Sequence, residues 1–480
     1  MIPFAAVVLV THGAAVGEIT DRSAVVWARS SAPAEMVVSY GQDGVARAPS
    51  EAARDLTARV RLENLTPGTL YRYRVHFEAG GETSGTVEGA FRTAPAPETS
   101  ATIQFVVGGD LGGHGFCREE TAGYVFFDRM RELEPDFFIA NGDMIYADSD
   151  CPVARPDGGR NLPGDFPRID DPAVDWTDSV RVREIYLAHW RYNRADPSFQ
   201  RFLLEVPMYS QWDDHEVIND FGAAWPELAP AAGRDGYPTL VRAGRDALFD
   251  FNPLWPHPEE PERIYRSFRW GAHVELFLLD ARSYRSANAQ ADSPGGGKTL
   301  LGRAQLDWLK EGLQSSNATW KIVSSDVPLS IATGSRAEIY GRDAFADGDP
   351  AGAPRTGSEN ELEELLSHLD RADVRNLVFV VTDVHFATSL RYEVDLDSDG
   401  DKLRFHELVT GPLSAGLSEP RAPDRTFAPE VLYVEGGFFN FGFASADGSR
   451  LAYEVRDDRG RVREGSVLTI PAESLHRTGR

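Results

Sequence analysis

Cysteine and lysine are scarce in this chain. Its 480 residues include 2 cysteines, Cys117 and Cys151, and lysine stands only at Lys298, Lys310, Lys321 and Lys402. Two cysteines do not fix a redox compartment, and they leave a disulfide, a thiolate metal ligand and two free thiols all open. No apolar run approaches the roughly 18 residues that read as a membrane span. The short apolar stretch Met1–Val10 has no basic n-region and no clear cleavage site, so no secretion signal is read there. Positive charge is short as well: 49 Lys and Arg against 74 Asp and Glu leave a net charge of -25. Such a field repels nucleic-acid phosphates and anionic membranes, and the chain shows no nucleic-acid-binding module and no evident protein partner. Internal repeats are absent. What the chain does have is 42% hydrophobic and 10% aromatic content, ample for a buried core, and a length that favours two or more structural units.

Residues 1–93 read as an all-β module. Alternating strands are expected at Ser23–Arg29, Met36–Tyr40 and Thr57–Leu62, followed by the run Leu65–Val75. That last run resembles the corner of fibronectin type III domains, where a tyrosine hydroxyl ties the chain back on itself. Tyr71 takes that part, and Trp27 fits the buried tryptophan of such a sandwich. Residues 94–100 form a Pro-containing linker, and residues 101–480 form the second unit. There strands alternate with helices expected at Glu119–Glu134, Gly302–Ser315 and Glu359–Leu369, an α/β arrangement with its site at a sheet edge. Residues 150–175 and 285–300, rich in Gly, Pro and Asp, read as long surface loops. The tail after residue 430 reads as strands that finish one sheet.

Four hydrophobic runs end in chemistry-bearing residues: Ile103–Asp110, Asp136–Tyr146, Met208–Glu216 and Leu377–His385. Apolar runs rich in Val, Ile and Phe read as buried strands, so their ends meet along one sheet edge. Carboxylates and imidazoles gathered there would repel one another without a cation between them, which points to a two-metal hydrolytic site. Asp143, on a tight turn after Gly142, can bridge two cations with its two oxygens, and Tyr146 reaches the same centre with a phenolate that favours ferric iron. Asp213, Asp214 and Glu216 around His215 form the second cluster, with a helix N-cap as the alternative reading. Asp383 and His385 present two side chains from one loop, and Asp110 supplies the first ligand. Arg282 is open to two readings, a fork for phosphate oxygens or a buttress paired with Asp280. Asp395–Asp401 looks like half a calcium loop, but His406 stands where the twelfth-position acid belongs, so an acidic hairpin turn is expected.

Taken in order, Thr11–Thr20, Asn141–Ala147, Trp212–Glu216, Leu279–Ser283, Thr382–His385 and Thr410–Ser414 resemble the alkaline phosphatase D (PhoD-like) family of metallophosphatases, over almost the whole length. Purple acid phosphatases share an Asp-x-x-Tyr site behind a fibronectin-like module, but they end in a His-x-His pair where this chain has Asp383-x-His385. The resemblance implies a four-layer αββα catalytic domain behind the all-β sandwich, and secreted or periplasmic phosphomonoesterase or phosphodiesterase activity. It implies ferric iron held by Asp110, Asp143, Tyr146 and His385, with Asp143 bridging to calcium held by Asp214 and Asp383. Some family members carry a cysteine ligand where this chain has Asp110, so Mn2+ or Zn2+ also fits the ligand set. The expected mechanism is in-line attack by a metal-held hydroxide on a phosphate ester, with His215 protonating the leaving alkoxide and no phosphoenzyme formed. Two rivals are a phospholipase D-type phosphodiesterase on the same scaffold and a calcium-stabilised cell-surface binding protein. The latter leaves Tyr146 and His385 unexplained, because calcium prefers oxygen ligands.

Overall fold

A computed structural model describes residues 8–222, 235–333, 343–347 and 357–473; most of the apolar start, residues 1–7, lies outside the described residues. Their strands form three sheets. One has nine strands, in the order Leu468–Pro471, Arg450–Asp457, Asn440–Ala446, Ile103–Gly108, Phe137–Asn141, Met208–Gln211, Val10–Gly17, Ala24–Ser30 and Thr57–Leu62. A seven-stranded sheet runs Arg266–Trp270, Val274–Leu278, Trp320–Ser325, Leu377–Val381, Leu403–Val409, Ala387–Val394 and Glu430–Glu435. The third, around Ala34–Tyr40 and Leu70–Ala79, closes the N-terminal sandwich.

The period-2 alternation of the strands builds the layers. Phe105, Val107, Phe137 and Ile139 share a core with Leu276, Leu278, Val378 and Val380, between the two large sheets. Val106, Phe138 and Ala140 face the other way, onto the helices Ser179–Arg194, Pro197–Glu205 and Tyr237–Phe251. On the far side, Phe277, Val323, Phe379 and Val381 meet Leu306, Leu309, Leu362 and Leu366 of the helices Arg303–Ser315 and Glu359–Arg371. The result is the expected αββα stack. The inter-sheet core continues into the N-terminal sandwich through Val16, Val26, Met36 and Phe77.

The N-terminal strands are joined by hydrogen bonding to the strands of the second unit within the nine-stranded sheet. Val10–Gly17 lies parallel to Met208–Gln211 with Gly17 opposite Met208. A Cβ at Gly17 would fall 2.4 Å from the Met208 carbonyl oxygen, so only glycine allows this approach. The tyrosine corner forms, with the Thr66 amide donating to the Tyr71 hydroxyl at 2.9 Å.

Three expectations are corrected. Trp27 is buried, but outside the sandwich interior: it packs on Phe251 and Arg194 of the second unit and donates from Nε1 to the Asp250 carbonyl at 2.7 Å. Alternation explains this, since Val26 and Ala28 take the inward positions and turn Trp27 outward. The helix expected over Glu119–Glu134 shrinks to Phe126–Arg131. Upstream, Gly123 at φ +66 packs so tightly on Asp196 that a Cβ would lie 2.1 Å from a carboxylate oxygen, and the Glu119 side chain caps a turn at Thr121 and Ala122. The tail finishes two sheets rather than one, with Glu430–Glu435 on the edge of the seven-stranded sheet and Asn440–Pro471 on the nine-stranded one.

Candidate metal centre

The strands Ile103–Gly108, Phe137–Asn141 and Met208–Gln211 are adjacent and parallel, so Asp110, Asp143 and Asp214 emerge side by side beyond their C-terminal ends. Asp383 and His385 come from the end of Leu377–Val381, which lies in the other sheet. The site therefore spans the edges of two sheets, where the pattern of runs alone suggested one. Asp110, Asp143, Asp383 and His385 all have positive φ, between 51° and 74°. Four non-glycine residues in the left-handed region at one locus mark backbone held in place by its surroundings. Gly411 makes room for this: a Cβ there would sit 2.2 Å from Asp110 Oδ2.

All seven residues singled out from the sequence converge. Tyr146 Oη and His385 Nε2 lie 2.9 Å apart, with Asp110 Oδ1 3.8 Å from His385 Nε2. His215 Nε2 stands 4.0 Å from Asp143 Oδ2 and 3.9 Å from Asp214 Oδ1. Oxygens of Asp213, Asp214 and Asp383 fall within 4.8 Å of one another. Each of these residues except Asp383 is at most 9% exposed. Both oxygens of Asp110 and one each of Asp214 and Asp383 are buried without a hydrogen-bond partner. Burial lifts the Asp110 carboxyl to about 8. Burial, then neighbouring carboxylates, pushes Asp143 and Asp383 well above the usual carboxylate range. Burial likewise raises the Tyr146 phenol, with Asp143 and Asp110 adding to it, and it drives the His385 imidazole down to about 3. Such groups resist carrying charge alone, and a cation at their centre reverses that. The donors therefore fit a metal: hard carboxylates throughout, and one phenol and one imidazole on the Asp110 side.

Other groups organise the centre and were not read as doing so from the sequence. Asp148 Oδ1 meets His215 Nδ1 at 2.6 Å. Burial opposes charge on His215, but Asp148 and Asp214 outweigh it and hold the imidazole up at about 10. Glu216 accepts the amides of Asp143, Met144 and Asp213, at 3.0, 2.7 and 2.8 Å, which fixes the Asp143 turn against the Asp214 loop. Below the site, Gln211 Nε2 donates across the sheets to the carbonyls of Leu279 and Ser324 at 2.8 and 3.0 Å, and the Thr382 hydroxyl donates to the Asn141 carbonyl at 2.7 Å. Arg282 is a buried buttress, but its expected partner is corrected: the guanidinium pairs with Asp213 at 2.5 Å and with Asp343, while Asp280 accepts from the Arg282 amide at 3.2 Å and from Trp212 Nε1 at 2.9 Å. The Asp213–Glu216 cluster forms a single turn in which the Val217 and Ile218 amides bond the Asp214 carbonyl. Asp395–Asp401 is the turn of the hairpin between Ala387–Val394 and Leu403–Val409. Cys117 and Cys151 form a disulfide between the loops that follow Asp110 and Tyr146.

The model of the PhoD-like phosphatase family matches residues 111–441, and that of its N-terminal domain matches residues 5–95. Alkaline phosphatase D of Bacillus subtilis (strain 168) is 24% identical over 468 residues, covering 90% of this chain and 73% of its own. Among solved structures, PhoD superposes with a TM-score of 0.76 at 17% identity, over 99% of this chain and 94% of that one. Purple acid phosphatase from yellow lupin (Lupinus luteus) seeds gives 0.61 at 15% identity, over 95% and 74%. At these identities both structures show a shared fold.

Proposed function

The chain belongs to the PhoD-like phosphatase family, and on that premise we propose that it hydrolyses phosphate esters at a dinuclear metal site. Asp110, Asp143, Tyr146 and His385 would hold one ion, and Asp143, Asp214 and Asp383 the other, with Asp143 bridging. The observation that carries this reading is the set of buried, unpartnered carboxylate oxygens on Asp110, Asp214 and Asp383, which a protein leaves unpaired at a cost of several kcal/mol per charge unless a cation completes them. A phenol as buried as Tyr146 ionises only beside a strong Lewis acid, which favours ferric iron on that side. The all-carboxylate side suits calcium, and Mn2+ or Zn2+ also matches these donors.

When bound, the two cations would supply hydroxide by acidifying water and would neutralise charge on the phosphoryl oxygens. His215 does the proton work. Asp148 engages Nδ1, so Nε2 is the nitrogen turned toward Asp143 and Asp214, and from there it would protonate the leaving alkoxide. Asp148 then stabilises the imidazole in that orientation. No side chain is asked to attack phosphorus, so no phosphoenzyme forms. The Cys117–Cys151 disulfide supports a secreted or periplasmic setting.

The test compares leaving groups. Replacing His215 by Ala should slow hydrolysis of an alkyl phosphate about a hundredfold or more, yet spare p-nitrophenyl phosphate, whose leaving group needs no proton. Equal losses on both esters would remove His215 from the acid role. Assays on bis-p-nitrophenyl phosphate and phosphatidylcholine rank monoester, diester and lipid substrates.

A further inference from the structure

We propose that His114 is a substrate-binding residue, its imidazole donating a hydrogen bond to an oxygen of the phosphoryl group held at the metal centre. The inference rests on the hydrolase reading above and adds to it a residue outside the ligand set.

His114 lies in the loop that leaves Asp110, between Gly113 and Gly115. Its ring faces three side chains of the centre at once, with centroids 5.2 Å from Tyr146, 5.5 Å from His385 and 5.8 Å from His215. Those three residues are buried, whereas His114 is exposed. It therefore stands at the exposed edge of this ring cluster, in which Tyr146 stacks on His215 with centroids 4.1 Å apart.

The backbone is shaped to present this ring. His114 has φ +54, a conformation glycine adopts without strain, and its amide is pinned to Ser149 Oγ at 2.9 Å. Gly113 crosses the face of Tyr146 so closely that a Cβ would fall 2.5 Å from the phenol ring. On the opposite side, a Cβ at Gly416 would sit 3.2 Å from His114 Nδ1, so glycine there leaves the imidazole its clearance. No hydrogen bond engages the ring nitrogens among the described residues. A packing role would bury the ring, and a structural role would bond it. An imidazole held at the mouth of an anion-accepting site, with its nitrogens uncommitted, is instead suited to a phosphoryl oxygen, which accepts strongly from N–H donors.

The experiment uses the metal-loaded full chain with His114→Gly, which relieves the backbone, and His114→Asn, which tolerates a positive φ. Inorganic phosphate binding is measured by titration calorimetry, KM and kcat on p-nitrophenyl phosphate, and bound metal by elemental analysis. Both variants should bind phosphate about tenfold more weakly or worse, raise KM in step with that loss and keep the wild-type metal content. Unchanged phosphate affinity and KM overturn the inference while leaving the hydrolase reading intact. Metal lost in both variants overturns it too, making His114 a ligand. A wild type that hydrolyses no phosphate ester removes the premise, and the inference falls with it.

Discussion

At the residue scale, His215 is defined by what its other nitrogen touches. Asp148 reads in the sequence as one more acid in an acidic loop, and only the fold brings its Oδ1 to 2.6 Å from His215 Nδ1. Burial alone would depress the imidazole, and Asp148, with Asp214, reverses that to a value of about 10. A neighbour that favours the charged imidazole extends toward higher pH the range over which His215 could serve as an acid. Asp148→Asn removes the leading source of the upward shift, so the alkaline limb of kcat on an alkyl phosphate should move to lower pH. A kcat–pH profile that is superimposable on the wild type would show that Asp148 does not tune the acid. The ligand candidates themselves were legible, because each stands directly after an apolar run of strand length. Asp148 and Glu216 were not assigned their roles, because they act on other residues rather than on the centre, and such second partners leave no spacing signal.

Among elements, the three parallel strands were readable by their β-branched and aromatic content, and the helices Arg303–Ser315 and Glu359–Arg371 by their apolar period. The segment after Glu119 misled because its apolar residues have helical spacing, while the contact of Gly123 with Asp196 is tertiary and overrides propensity. The same holds for Gly17. Nothing local marks it, yet its absent side chain admits the Met208 carbonyl and joins the sandwich to the catalytic sheet. Gly17→Ala places a Cβ 2.4 Å from that oxygen and 2.5 Å from Pro253 Cγ. The strands must part, and we expect a loss of roughly 1–3 kcal/mol in denaturant unfolding. Wild-type stability in this variant would mean that the strand pairing is loose.

For the whole molecule, the chain reads as one catalytic body with its sandwich built into it. The core between the large sheets runs on into the N-terminal strands, and Trp27 faces the helices of the second unit. Composition indicated a sizeable core and more than one unit; it could not show that the units share a sheet, because strand pairing between distant segments is a property of the folded chain. The two sheets matter to the proposed function because they bring candidate site residues from separate halves of the second unit, Asp110 to His215 and Asp383 to His385, to one point. If that point is a dinuclear centre, removing the bridging carboxylate dismantles it. The measurement is elemental analysis of purified wild type and Asp143→Ala, paired with hydrolysis of p-nitrophenyl phosphate. The expected result is about two metal ions per wild-type chain, as a dinuclear site requires, and loss of both metal and activity in the variant with the fold retained by circular dichroism. A wild type that takes up no metal after reconstitution, or an Asp143→Ala variant that keeps full metal and full activity, would contradict it.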